Sequence, residues 1–146
     1  MSLPFTVRFI AFGSEELGLK GSLHYLASLD EAQQSRIKAM FNFDALGSGR
    51  QMGILGDAEL TQFLAELGGD EGIDLRVSAG LFGAGSDHMS FSSVGIPVIM
   101  FSADDFSRLH TPRDTLEFVE PSLLGDAAAL AIALIESKDF WLNISG

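Results

Sequence analysis

Three places in this sequence put carboxylates or an imidazole after an apolar run, where a strand would end: Gly13-Ser14-Glu15-Glu16 and Asn42-Phe43-Asp44 at the ends of their runs, and His110-Thr111-Pro112-Arg113-Asp114, reached through an acidic loop from the run ending at Phe101. Each has an ordinary structural reading. A serine followed by two glutamates suits a helix start, where the dipole favours negative charge. Asp44 before Gly47-Ser48-Gly49 suits a turn, and His110 before Thr-Pro suits a loop. Taken together they supply the oxygen and nitrogen donors of a catalytic zinc, with a spare carboxylate beside them. Adjacent glutamates fit that chemistry because one carboxylate must hold metal while another, uncoordinated, accepts a proton from water.

Composition narrows the alternatives. There is no cysteine, so thiolate sites and disulfides are excluded and any transition metal needs His, Asp and Glu. The imidazoles are only His24, His88 and His110. A formal charge of -11 argues against nucleic acid or an anionic membrane as partner and favours a cationic metal or a peptide's ammonium group. The longest apolar stretch, residues 127–135, is flanked by Asp126 and Glu136 and is too short to span a bilayer. No leader pattern precedes the first strand pattern.

The elements that would carry these residues alternate between strand and helix. Residues 6–12 form a β-branched and aromatic run expected to be a central buried strand. Leu19, Leu23 and Leu26 mark a helix through Ser28, and residues 37–43 a second strand. Short strands are expected at 52–55 and 75–79. Between them a helix is capped by Asp57, lined by Leu60, Phe63, Leu64 and Leu67, and stopped by Gly68-Gly69. Ser86 is expected to cap a short helix from Asp87 to Val94. A buried strand follows at 96–101, then a long helix opened by Pro121 with Leu123, Leu124, Ala127, Leu130, Ala131, Leu134 and Ile135 on its apolar face. Its 146 residues and 47% hydrophobic content suit one domain. The expected fold is an α/β sandwich whose mostly buried sheet lies between helices.

Four blocks, in order, resemble the successive motifs of metallopeptidase family 28, the two-zinc aminopeptidases: residues 12–22 (Phe-Gly-Ser-Glu-Glu-Leu-Gly-Leu-Lys-Gly-Ser), 42–47 (Asn-Phe-Asp-Ala-Leu-Gly), Ser86-Asp87-His88 and 110–115 (His-Thr-Pro-Arg-Asp-Thr). The resemblance implies a mixed, twisted sheet between helices and a metal-dependent exopeptidase acting on the N-terminal residue of peptides. It implies that Glu15 is the general base that activates water, that Glu16 and His110 share one zinc, and that Asp44 binds the second. Asp87 is expected to line the site and Asp114 to brace the His110 loop or form its turn; His24 and His88 are expected to be structural.

The family's remaining histidine and its metal-bridging aspartate come from a His-x-Asp motif upstream of the glutamate pair, and this sequence has none. The expectation is therefore the C-terminal part of a catalytic domain, incomplete at the N-terminal side. It would carry part of a site that takes two zinc ions when whole, be inactive alone, and self-associate through open strand edges. Two other readings stay open: a single-zinc glutaminyl cyclase of similar fold, and a non-catalytic interaction domain like the transferrin-receptor relatives of that fold.

Overall fold

The computed structural model describes Leu3, residues 5–78 and residues 85–143. Among the described residues there are four strands and six helices, in the order α1 (Lys20–Ala27), α2 (Glu31–Gln34), β1 (Met40–Phe43), β2 (Met52–Gly56), α3 (Ala58–Glu71), β3 (Leu75–Val77), α4 (His88–Ser92), β4 (Val98–Ala103), α5 (Pro121–Glu136) and α6 (Lys138–Asn143). Short 3-10 turns lie at Glu15–Leu17 and Leu116–Phe118. The strands form one sheet in the order β1-β4-β2-β3. It is mixed: β1 runs parallel to β4 and β3 parallel to β2, whereas β2 and β4 are antiparallel.

All six residues of β4 are buried, as a strand covered on both faces requires. On one face Ile99, Phe101 and Ala103 join Met52 and Ile54 of β2, Leu60 and Leu64 of α3, and Leu123, Ala127, Leu130, Ala131 and Leu134 of α5. Trp141 of α6 closes this layer by donating from Nε1 to the Leu134 carbonyl at 2.8 Å. On the other face Val98 packs with Leu26 of α1, Phe91 of α4 and Ile96. The helices α1 and α4 are joined there by a buried contact of 2.8 Å between the hydroxyls of Ser22 and Ser90.

Local signals account for several boundaries. Asp57 accepts from the backbone N–H groups of Glu59 and Leu60, and Pro121 occupies the first turn of α5. The polar stretch after α1 folds into α2 because Asp30 and Gln33 form a reciprocal capping box. The mixed sheet between helices expected from the sequence is the one observed.

Three expectations are corrected. Residues 6–12 lie outside every strand, with Phe9 93% exposed. The apolar pattern specifies a wish for burial, but a strand also needs a neighbouring backbone, and β1, at that edge of the sheet, is paired to β4 alone. Gly68-Gly69 does not stop α3, which runs to Glu71 and ends at Gly72 with φ 71°. A glycine at 68 lets the helix lie close to Leu75, whose side chain would meet an added Cβ. Ser86 does not cap α4; Asp87 holds that position without a side-chain cap bond. The strand expected at 75–79 is formed at Leu75–Val77, and its last expected residue lies outside the described ones.

One glycine fixes the approach of α1 to the glutamate turn. A Cβ on Gly21 would overlap the carbonyl oxygen of Gly13 and crowd its backbone nitrogen, so the helix can lie against this turn only with glycine there. We expect Gly21→Ala to destabilise the chain by about 1–3 kcal/mol, the usual cost of overpacking against backbone, despite alanine's better helix propensity. Urea unfolding measures this; a stability equal to or above the parent's would show that α1 does not bear on the turn.

Candidate functional site

Each candidate donor sits on a short irregular segment directly after a strand or turn, and the backbone is bent out of the ordinary regions at each. Ser14 (φ 60°) precedes Glu15, Leu19 (φ 56°) ends the glutamate turn, Ala45 (φ 49°) follows Asp44, and His110 itself has φ 60°. Non-glycine residues adopt the left-handed region at a cost, and such positions gather where function needs a side chain aimed in one direction. Of the four positive-φ non-glycine residues among the described ones, Ser14 and Ala45 adjoin a candidate residue, His110 is one, and Leu19 lies three residues past Glu16.

The glutamate turn meets the histidine loop across 94 residues of sequence. His110 Nε2 lies 2.6 Å from Glu16 Oε1, and both side chains are largely exposed. The His110 loop is held by its own contacts. Asp105 accepts from the Ser107 N–H at 2.9 Å and pairs with Arg108 at 2.7 Å. The Arg108 guanidinium also lies 4.0 Å above the Phe118 ring. Thr111 donates its hydroxyl to the Arg108 carbonyl at 2.6 Å. Asp114 contributes its backbone N–H to the Thr111 carbonyl, and its carboxylate is exposed.

Asp44 leaves β1 on the same side as Asn42, following the two-residue period of a strand. Its turn is tied to the segments around the histidine loop: Ala103 N–H donates to the Ala45 carbonyl, Asp105 N–H to Ser48, and Glu120 N–H to Gly47. Asp104 fastens the same turn by accepting from the N–H groups of Arg50 and Gln51, which hold its carboxyl below the usual carboxylate range.

The polar contact made by Asp44 is one the sequence did not disclose. Ser86 donates its hydroxyl to Asp44 Oδ2 at 2.5 Å, a length typical of a hydrogen bond to a charged acceptor. Ser86 in turn accepts from Asn42 Nδ2 at 2.8 Å, and Asn42 Nδ2 lies 3.5 Å from His88 Nδ1. Asn42, Ser86 and His88 are all buried. The available signals were Asn42 two residues before Asp44 and the Ser86-Asp87-His88 block. Burial depresses the His88 pKa more than nearby Asp44 and Asp87 raise it, keeping the ring neutral near pH 7. His24, by contrast, is exposed on α1 and apart from this cluster.

Glu15 responds electrostatically to the same surroundings. Burial first, then the negative charges of Asp44, Glu16 and Asp87, push its carboxyl above the ordinary range, against an opposing effect of His110. The expected site-lining residue Asp87 is thus near enough to act on Glu15; it is buried, and its Oδ1 has no hydrogen-bond partner. Glu15, Glu16, Asp44, Asp87 and His110 therefore share one electrostatic neighbourhood built from four separate segments. Among the described residues, no group of three or more His, Asp or Glu side chains is placed to hold a metal ion. An open cleft of about 500 Å³ beside the loop is lined by Arg108, Arg113, Thr115 and Phe118 among others, with none of the candidate donors in its wall.

Comparison with known proteins places this arrangement. The model of peptidase family M28 matches residues 2–135. Aminopeptidase YwaD of Bacillus subtilis is 32% identical over 146 aligned positions, which cover 88% of this chain and 31% of that protein. The solved structure of BSAP, a zinc aminopeptidase from Bacillus subtilis, aligns with a TM-score of 0.75 at 27% identity, over 88% of this chain and 35% of that one. A glutaminyl cyclase from an Acidobacteriales bacterium aligns with a TM-score of 0.64 at 26% identity, over 82% of this chain and 46% of that one. The chain spans about a third of the length of the aminopeptidases it matches. The four sequence blocks, the mixed sheet that carries them and the match over most of the chain agree: this protein belongs to peptidase family M28.

Proposed function

We propose that the chain carries the general base and three metal donors of an aminopeptidase that hydrolyses the N-terminal peptide bond of its substrates. The observation that carries this reading is the meeting of His110 with Glu16 at 2.6 Å, with Glu15 as the adjoining residue. The donor chemistry fits zinc: an imidazole nitrogen and a carboxylate oxygen brought together from distant segments, with the Asp44 carboxylate on a third. Glu16 and His110 would hold one zinc and Asp44 the second. Zinc, when bound, supplies Lewis acidity that polarises the scissile carbonyl and makes water a stronger acid.

Within that reading the tasks of the chain's own residues separate. Glu15, the glutamate not assigned to metal, accepts a proton from the attacking water and returns it to the departing amine. Glu16 and His110 would supply one carboxylate oxygen and one imidazole nitrogen to the same cation. The surplus of negative charge around Glu15 favours a cation nearby, either metal or the ammonium group of a peptide. A glutaminyl cyclase would use the same base with a single metal, so metal stoichiometry and turnover of an N-terminal glutaminyl peptide distinguish the two.

In a catalytic domain of the relatives' full length, Glu15→Gln is expected to lower kcat by roughly 10²–10⁴ and leave zinc content nearly unchanged. Glu16→Gln and His110→Ala are expected to lower both. Metal analysis beside steady-state kinetics tests the assignment; a Glu15→Gln protein that lost its zinc would show that the two glutamates are reversed.

The 146-residue chain alone is expected to show no aminopeptidase turnover even in excess zinc. A catalytic zinc ordinarily takes three protein ligands, and here one metal would have Glu16 and His110 and the other Asp44 alone. With so few carboxylates to neutralise them, two cations held close together would also repel each other strongly. Calorimetric zinc titration with an aminoacyl anilide assay decides this: tight binding of two zinc ions, or turnover abolished by Glu15→Gln, would reveal replacement ligands.

Self-association belongs to the same reading, because β1 has one partner strand and Val7, Phe9 and Ile10 are exposed in an unpaired run. Light scattering is expected to show species larger than 15.6 kDa. A monomer at high concentration would count against it.

A further inference from the structure

The chain of contacts His88, Asn42, Ser86, Asp44 has a direction that the donor chemistry dictates. A side-chain amide nitrogen only donates, so Ser86 Oγ must accept from Asn42 Nδ2 across their 2.8 Å contact. A hydroxyl has one proton, and an ionised carboxylate only accepts. The Ser86 proton therefore goes to Asp44 Oδ2, at 2.5 Å. The amide end that faces Ser86 decides whether that hydroxyl is anchored from behind or faces two acceptors. With the Asn42 oxygen turned to Ser86, Asp44 would still be the stronger acceptor, but the amide oxygen would repel Ser86 Oγ and the hydroxyl would lose the bond that holds it in place.

The neighbouring imidazole selects between those two orientations. Asn42 Nδ2 lies 3.5 Å from His88 Nδ1, and that approach is favourable only if Nδ1 carries a lone pair, the proton being on Nε2. Burial of His88, which keeps the ring neutral, supports this tautomer rather than the imidazolium, in which both nitrogens donate. Burial of Asn42, Ser86 and His88 removes water as a competing partner.

We propose that Asn42 is a positioning residue for the metal donor Asp44: held amide-nitrogen-inward by His88 Nδ1, it anchors Ser86 Oγ so that the hydroxyl is held as a donor to Asp44 Oδ2, leaving Oδ1 for a cation. The significance for metal binding rests on the reading of Asp44 as a ligand; the relay does not. Asn42 touches no reacting atom and acts only through Ser86. Packing alone would not require this arrangement, since an apolar side chain of similar size would fill the same space between β1 and α4.

The test reads the relay in the metal-free chain by NMR, so its failure is distinguishable from failure of the aminopeptidase reading. Three-bond couplings to the Asp44 carboxyl carbon report its χ1, and a long-range proton–nitrogen spectrum reports the His88 tautomer. In the parent a single Asp44 rotamer and a neutral His88 protonated on Nε2 are expected. Asn42→Leu and Ser86→Ala are each expected to convert the Asp44 couplings to rotamer-averaged values, and the double variant to add nothing further. Backbone amide spectra confirm that each variant is folded. A single Asp44 rotamer retained in folded Asn42→Leu overturns the proposal. So does a parent His88 carrying its proton on Nδ1, an observation that needs no variant at all.

Discussion

The site depends on one strand being buried on both faces. β4 pairs in parallel with β1 and antiparallel with β2, and all six of its residues are removed from solvent. The parallel pairing brings the end of β1, with Asp44, alongside the end of β4, where the His110 loop begins. Asp44 donates its backbone N–H to Phe101, and Ala103 donates its own to Ala45, so the ladder continues one step past the named strand into the turn that holds the candidate ligand. Stacking of Phe43 on Phe101, with ring centroids 4.9 Å apart, fixes the same register on the opposite face. A one-residue slip would turn Asp44 away from Ser86 and exchange the apolar and polar faces of β1.

Where the sequence was informative, the reason was local chemistry. Asp57 and Pro121 mark helix starts through the hydrogen bond one makes and the other does not need, and the strands at 52–55 and 96–101 are close to those formed because their burial pattern is dense. The failures have one physical source: residues whose local preference is overridden by a partner elsewhere. Residues 6–12 have strand character with no neighbouring strand to pair with. Gly68 interrupts a helix pattern, yet close packing against Leu75 favours its smallness within a continuing helix. Ser86 has a cap's chemistry but finds a better acceptor in Asp44 than in the first turn of a helix only five residues long.

The candidate site shows the same division. The candidates Glu15, Glu16, Asp44 and His110 were suggested by their positions after apolar runs and by the four matching blocks, and the structure brings His110 to Glu16 and sets Asp44 within electrostatic reach of Glu15. The polar support beneath them was not so suggested. Asn42 looked like part of an apolar strand, and His88 like a core histidine; only the pairing of β1 with α4 across the sheet face brings their nitrogens together. Such support is set by tertiary geometry, which spacing along the chain does not encode.

Electrostatics supplies the final connection between scaffold and chemistry. The three carboxylates of Asp44, Glu16 and Asp87 all raise the proton affinity of Glu15, with His110 opposing them. Three turns whose backbones are bent into the left-handed region carry or adjoin these donors, and hydrogen bonds to neighbouring segments keep them from relaxing apart. An arrangement that concentrates like charge in this way is unfavourable for the fold by itself, since each carboxylate disfavours ionisation of the next. A bound cation reverses the sign of the interaction. On the proposed metal reading the repulsion among the crowded carboxylates would thereby be offset, while the left-handed turns hold the side chains in place.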